Sequence, residues 1–160
     1  MDELQTAIRN FYICYDLLNK FCWGGSLPLC RLGFSKRIRR AWAYASFDRQ
    51  IRFNTVICSR TSDVHILMIM AHEMTHIWQY SRGHRGGHGK DFYGEMERIG
   101  IMGKTILSTR EGSCFAFTLF MYSVKHIRLA ESMRIINQYN ISKKLEETIF
   151  NQYKEEKLCR

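Results

Sequence analysis

The chain has 160 residues, 46% of them hydrophobic, which suits one domain with a core of its own. Its 24 Lys and Arg against 15 Asp and Glu leave a net charge of +9, which favours polyanionic partners. No apolar run approaches the ~20 residues needed to span a bilayer, and the opening Met1-Asp2-Glu3 lacks the basic and apolar segments of a signal peptide, so an intracellular, non-membrane protein is expected.

Residues 3 to 21 read as a helix, because Leu4, Ile8, Phe11, Tyr15, Leu18 and Phe21 fall near one face. Cys22-Trp23-Gly24-Gly25 ends it, and Pro28, the single proline, opens an extended section. Three short strands are expected between 29 and 58. Ala41, Ala43 and Ala45 alternate with Trp42, Tyr44 and Ser46, and Phe47-Asp48-Arg49 provides a turn into Ile51, Phe53 and Val56.

Thr61, Ser62 and Asp63 then supply an N-cap and an acidic first turn, and Val64 to Ala71 is apolar on nearly every face, as in a helix buried all round. That helix carries His72-Glu73-Met74-Thr75-His76. At ~3.6 residues per turn the two imidazoles project from nearly the same face and can reach one metal ion. Glu73 can approach a water at that ion without binding the ion itself. Burying His, Glu and His without a partner is costly, and a metal provides the partner. The layout is that of a zinc hydrolase, in which zinc takes three protein ligands and leaves a fourth position open.

Tyr80-Ser81-Arg82-Gly83 reads as the helix end, with Gly83 able to adopt the left-handed cap conformation. His84 to Gly89 reads as a tight loop, and a second helix follows with Phe92, Met96 and Ile99 at helical spacing. The third ligand has several candidates here. His88 is flanked by glycines that permit close backbone approach, His84 would need a sharper reversal, and Glu95 or Glu97 would fit a carboxylate supplied by the second helix.

Farther on, Ser113 to Val124 is aromatic and apolar, as in a strand or a buried helix, and 127 to 139 reads as a helix. Asn140-Ile141-Ser142 is a break, with Ser142 a cap for a last helix carrying Leu145, Ile149 and Tyr153. The cysteines at 14, 22, 30, 58, 114 and 159 have no paired Cys-x-x-Cys spacing and read as free thiols, several of them buried.

The runs HEMTHIWQ and GHGKDFYGEMERIG, with LLNKFCWGGSLP upstream, resemble the zinc-binding core of the SprT-like zinc metalloproteases (Spartan/SprT type) over roughly residues 15 to 105. The resemblance implies an α+β fold: a compact zincin-like metalloprotease core over 1–105, with an N-terminal helix, a small three-stranded sheet, the His72–His76 helix and a following helix. A mostly helical C-terminal extension over 106–160 completes it. It also implies that His88, in His88-Gly89-Lys90-Asp91-Phe92, joins His72 and His76 as the third Zn2+ ligand. The paired cysteines of a C-terminal zinc ribbon, common in bacterial members, are not present. A metzincin would continue with Gly at 79 and His at 82, where this chain has Gln79 and Arg82.

The mechanism expected is zinc-dependent peptide hydrolysis, with Glu73 as general base and Tyr93 a candidate donor to the oxyanion. Lys36, Arg37, Arg39 and Arg40 precede the aromatic pair Trp42 and Tyr44, and Arg49 and Arg52 lie on the neighbouring strand. Basic groups with aromatics suit single-stranded or distorted DNA. Together with the resemblance, this makes a protease of proteins bound or crosslinked to DNA the leading expectation. The alternatives are a zinc peptidase acting on a specific regulator without DNA, and a non-catalytic DNA-binding module with a structural metal. A structural site would normally fill all four metal positions with protein ligands and would leave Glu73 without a purpose.

Overall fold

Helix α1 (Glu3–Trp23) begins where the Asp2 carboxylate accepts a hydrogen bond from the Gln5 N–H at 2.7 Å. It ends where Gly24 turns into the left-handed region at φ 61. Its apolar stripe, with Ile8, Phe11, Tyr15 and Leu18 fully buried, forms the spine of the core. The computed structural model describes residues 2–100 and 126–159. The apolar segment 113–124 and the expected boundary near 105 lie outside the described residues.

Three strands follow, β1 (Arg31–Ser35), β2 (Ala43–Ser46) and β3 (Gln50–Asn54), in the order β1-β3-β2. β1 runs parallel to β3 and β2 antiparallel to it. Strand alternation gives the sheet two unlike faces. Leu32, Phe34, Ala43, Ile51 and Phe53 are buried, and Phe11 of α1 meets the rings of Phe34 and Phe53 edge-on at 5.2 and 5.3 Å. The other alternation carries Arg31, Ser35, Tyr44, Ser46, Gln50 and Arg52.

The third strand stops short of Val56. The Asn54 side chain accepts from the Ile57 N–H at 3.3 Å and turns the chain into a single helical turn, α2 (Thr55–Cys58). The same amide donates to the carbonyls of Ile38 and Ala41, pinning the basic connection before β2. Local β-branching favours a strand at 55–57, and a side-chain cap overrides it.

Helix α3 (Asp63–Ser81) is capped by Ser62, which accepts from the His65 N–H, and Ile66 through Ala71 are all buried. Helix α4 (Lys90–Arg98) packs against it, as does β2. Helices α5 (Leu129–Gln138) and α6 (Lys143–Leu158) return to the core, α5 against α1, α2 and α3, and α6 against β1 and α1. Asp63 joins α3 to α5 by accepting from the Ala130 N–H at 2.6 Å. The five described cysteines are free thiols, four of them buried. Among the described residues no helix is long and apolar enough to cross a membrane. The architecture is α+β.

The α6 contact with the sheet is held by a buried charge. Glu146, 2% exposed, accepts from the Phe34 N–H at 2.9 Å and pairs with Arg52 at 3.2 Å. Arg52 lies across Gly33, where a Cβ would sit 2.7 Å from its Nη1, so glycine clears the path. Removing one partner of a buried pair leaves the other uncompensated. Glu146→Ala is therefore expected to destabilise the fold by about 3 kcal/mol, read as a lower midpoint in denaturant unfolding.

Candidate metal centre

Three imidazoles meet over the second half of α3. His72 and His76 stand one turn apart on the helix, and His88 reaches them from the loop before α4. The Nε2 of His88 is 3.1 Å from the Nε2 of His72 and 3.1 Å from that of His76. All three ligand atoms lie within 4.8 Å of one another. A tetrahedral ion with bonds of ~2.0–2.1 Å holds its ligand atoms ~3.3 Å apart, so the spacing fits zinc. Imidazole nitrogens bearing lone pairs repel when they converge in this way, and a cation removes the conflict.

Phe92, 1% exposed, is the floor of the site, with its ring 4.6 to 4.8 Å from all three imidazoles. Burial first, and then the neighbouring imidazoles of His76 and His88, holds the His72 pKa down at about 4. Burial also lowers His76. Both rings are thus neutral near pH 7, the form that binds a metal.

Glu73 is 6% exposed and does not belong to the imidazole group. Burial pushes its carboxyl up to about 7, while the Ala45 backbone N–H of β2 acts in the opposite direction. A cation at the imidazoles would favour its ionised form. Two phenols border the site. The Tyr80 ring is stacked 6.4 Å from that of His76, and the Tyr93 ring lies 6.4 Å from that of His88.

The other ligand candidates stand outside the imidazole group. Glu95 is buried, accepting from the Trp23 indole at 2.8 Å and pairing with Arg98 at 2.6 Å, which ties α4 to the end of α1. Glu97 is exposed. His84 pairs with Asp91 at 2.8 Å.

One residue at the site carries no signal of its own in the sequence. Gln79, fully buried, bonds to His76 at 2.8 Å, to the Gly87 carbonyl at 2.9 Å and to Asp91 at 2.9 Å. Only its i+3 spacing from His76 hints at a contact.

Of the basic residues, Lys36, Arg37 and Arg52 line one groove on the polar face of the sheet, and Arg39 and Arg40 are exposed on the connection that follows Arg37. Arg49, at the β2–β3 turn with φ 61, lines an adjoining hollow with Lys154, and Arg31, Asp48 and Gln50 border both. Arg52 is committed to Glu146, and Trp42 is half-buried with its ring 4.5 Å from that of His65.

The family model described as the SprT-like family matches residues 12–112, a span that includes the sheet, α3 and α4 with all three imidazoles. The chain belongs to the SprT-like family. No curated protein and no solved structure gives a significant match. The SprT-like span is a metalloprotease-like domain, and its His72, His76 and His88 can hold a metal ion. Helices α5 and α6, which cover α1 and β1, lie beyond the SprT-like match.

Proposed function

We propose that this chain is a zinc-dependent endopeptidase that cleaves proteins bound or crosslinked to DNA. The observation carrying the peptidase reading is the convergence of three imidazoles, with Glu73, the residue after the first of them, buried and not one of the group. Zinc held by His72, His76 and His88 would supply a Lewis acid for the scissile carbonyl and the attacking water. Glu73, next to the first imidazole, takes the proton from that water and delivers it to the leaving amine. Burial raises the Glu73 carboxyl, which favours proton uptake, and a cation at the imidazoles would act in the opposite direction. Tyr80 and Tyr93, whose rings lie 6.4 Å from those of His76 and His88, are the candidate donors to the developing oxyanion.

The position of β2 supports a peptide substrate. Among the described residues β2 pairs only with β3, and its Ala45 N–H is directed at Glu73. An extended chain added along the outer edge of β2 would run past the carboxylate.

The DNA part of the reading is supported by the net charge and by the groove on the polar sheet face, about 810 Å3 in volume. Lys36, Arg37 and Lys143 line it and make no ion pair among the described residues. Tyr44 and Tyr139 line it as well, 44% and 43% exposed. Cations that contact phosphate and rings that stack on bases together suit a single strand. Reversing charge at Lys36 and Arg37 is expected to weaken single-stranded DNA binding and to flatten its salt dependence by about 0.7 in log–log slope for each phosphate no longer neutralised. Titration by fluorescence anisotropy at several salt concentrations checks it.

The decisive assay compares cleavage of a protein crosslinked to single-stranded DNA with cleavage of the same protein free. Preferential loss of the crosslinked form is expected. Equal cleavage of both forms, indifferent to added DNA, would instead favour a peptidase directed at a particular protein regulator.

A further inference from the structure

We infer that Gln79 is a positioning residue that fixes the tautomer of His76 and ties that imidazole to the loop carrying His88. The tautomer follows from the amide's own hydrogen bonds, and the metal-binding consequence rests on the peptidase reading above.

Gln79 lies on α3 three residues after His76 and is fully buried, so its polar atoms must find partners within the protein. Its amide nitrogen contacts the Gly87 carbonyl oxygen at 2.9 Å and Asp91 Oδ2 at 2.9 Å. Both are acceptors, one a carbonyl oxygen and the other a carboxylate oxygen. The two amide hydrogens are thereby used, and the orientation of the group is assigned: its oxygen faces His76 Nδ1 at 2.8 Å. An amide oxygen only accepts, so Nδ1 of His76 carries the hydrogen. In the neutral ring the lone pair is then on Nε2, the atom that converges with His88.

The same side chain restrains the loop. Gly86 and Gly87 have φ of 85 and 90, a left-handed run that glycine adopts freely and that leaves the backbone adaptable. The Gly87 carbonyl held by Gln79 belongs to the peptide that leads into His88. At the other end of the loop, the Gln79 carbonyl accepts from the N–H groups of Arg82 and His84 at 3.1 and 3.0 Å. One buried residue therefore joins the ring of one ligand to the backbone of another and holds both ends of the segment between them. Outer partners of this kind fix ligand orientation, and their loss weakens metal affinity by about 10–100-fold.

The test uses the full chain, with zinc affinity measured by competition against a chromogenic chelator and the His76 tautomer read from 15N shifts of the metal-free protein. Gln79→Leu removes all three side-chain bonds; about 10–100-fold weaker zinc binding is expected, with Nδ1 of His76 no longer held protonated. Gln79→Glu separates the two roles. The introduced carboxylate still accepts from His76, so the tautomer should persist, but it offers no hydrogen to Gly87 or Asp91 and zinc affinity should fall. Adding Asp91→Asn returns a donor to face that carboxylate and should recover part of the affinity, the bond to Gly87 remaining broken, although Asp91→Asn alone should not raise it.

Zinc binding within twofold of the natural chain in both Gln79 variants, an unprotonated His76 Nδ1 in the natural chain, or no recovery in the double variant would each overturn the inference. If the natural chain bound no zinc, the peptidase reading would fail, while the tautomer measurement would still decide the role of Gln79.

Discussion

Glu73→Gln should lower peptide hydrolysis by ~100-fold or more while leaving bound zinc in place. The amide is nearly the same size as the carboxylate and can keep the acceptor that faces the Ala45 N–H, so the buried site should retain its packing. It cannot take a proton from water. A 100-fold loss corresponds to about 2.7 kcal/mol of transition-state stabilisation, the usual scale for a general base. The affinity for metal should barely change, because Glu73 is not among the three converging nitrogens. Parallel measurement of kcat/KM and zinc content checks both halves, and unchanged turnover in the purified variant would exclude Glu73 as the base.

Truncating His88 to Ala should release the metal as completely as truncating His72 or His76. Two imidazoles would remain where three now converge, and losing a direct ligand costs more than the about 10–100-fold of an outer partner. His84→Ala should keep zinc, because His84 bonds to Asp91 and stands outside the imidazole group. Glu95→Gln should keep it too, with its effect felt in the Trp23 and Arg98 contacts that fasten α4 to α1. Zinc content after gel filtration distinguishes the variants. Stoichiometric zinc in His88→Ala together with loss in Glu95→Gln would place the chain among peptidases with a carboxylate ligand.

Legibility in the sequence depends on whether a residue's partner is local. The His72–His76 pair is legible because helical periodicity alone puts two residues four apart on one face. The caps at Ser62 and Ser142 are legible for the same reason, since a cap reaches only three residues ahead. The third imidazole is not fixed by the residues alone: His84, His88, Glu95 and Glu97 all lie within a few turns of the helix end. The structure separates them through contacts of the loop and of α1, which no local pattern encodes. Gln79 has no local signature because two of its side-chain partners sit 8 and 12 residues away across a glycine turn.

Charge is the least specific signal. Arg52 reads as one more cation of a basic strand, yet its partner Glu146 is 94 residues away. Trp42 reads as a base-stacking ring, and it lies half-buried with its ring 4.5 Å from that of His65. The expected third strand runs two residues too far because Val56 and its neighbours favour extended backbone, whereas Asn54 caps a helical turn. In each case a tertiary or side-chain partner outweighs a local preference.

Peptide hydrolysis at the point where the three imidazoles meet should depend on one zinc ion per chain. Metal-free chain is titrated with zinc while cleavage of an unfolded protein substrate is followed, with and without single-stranded DNA. Cleavage that rises to a plateau at one zinc per chain, disappears with a chelator and returns when zinc is restored is the predicted result. A chain that carries one zinc ion and leaves the substrate intact under both conditions would exclude peptide hydrolysis at this centre.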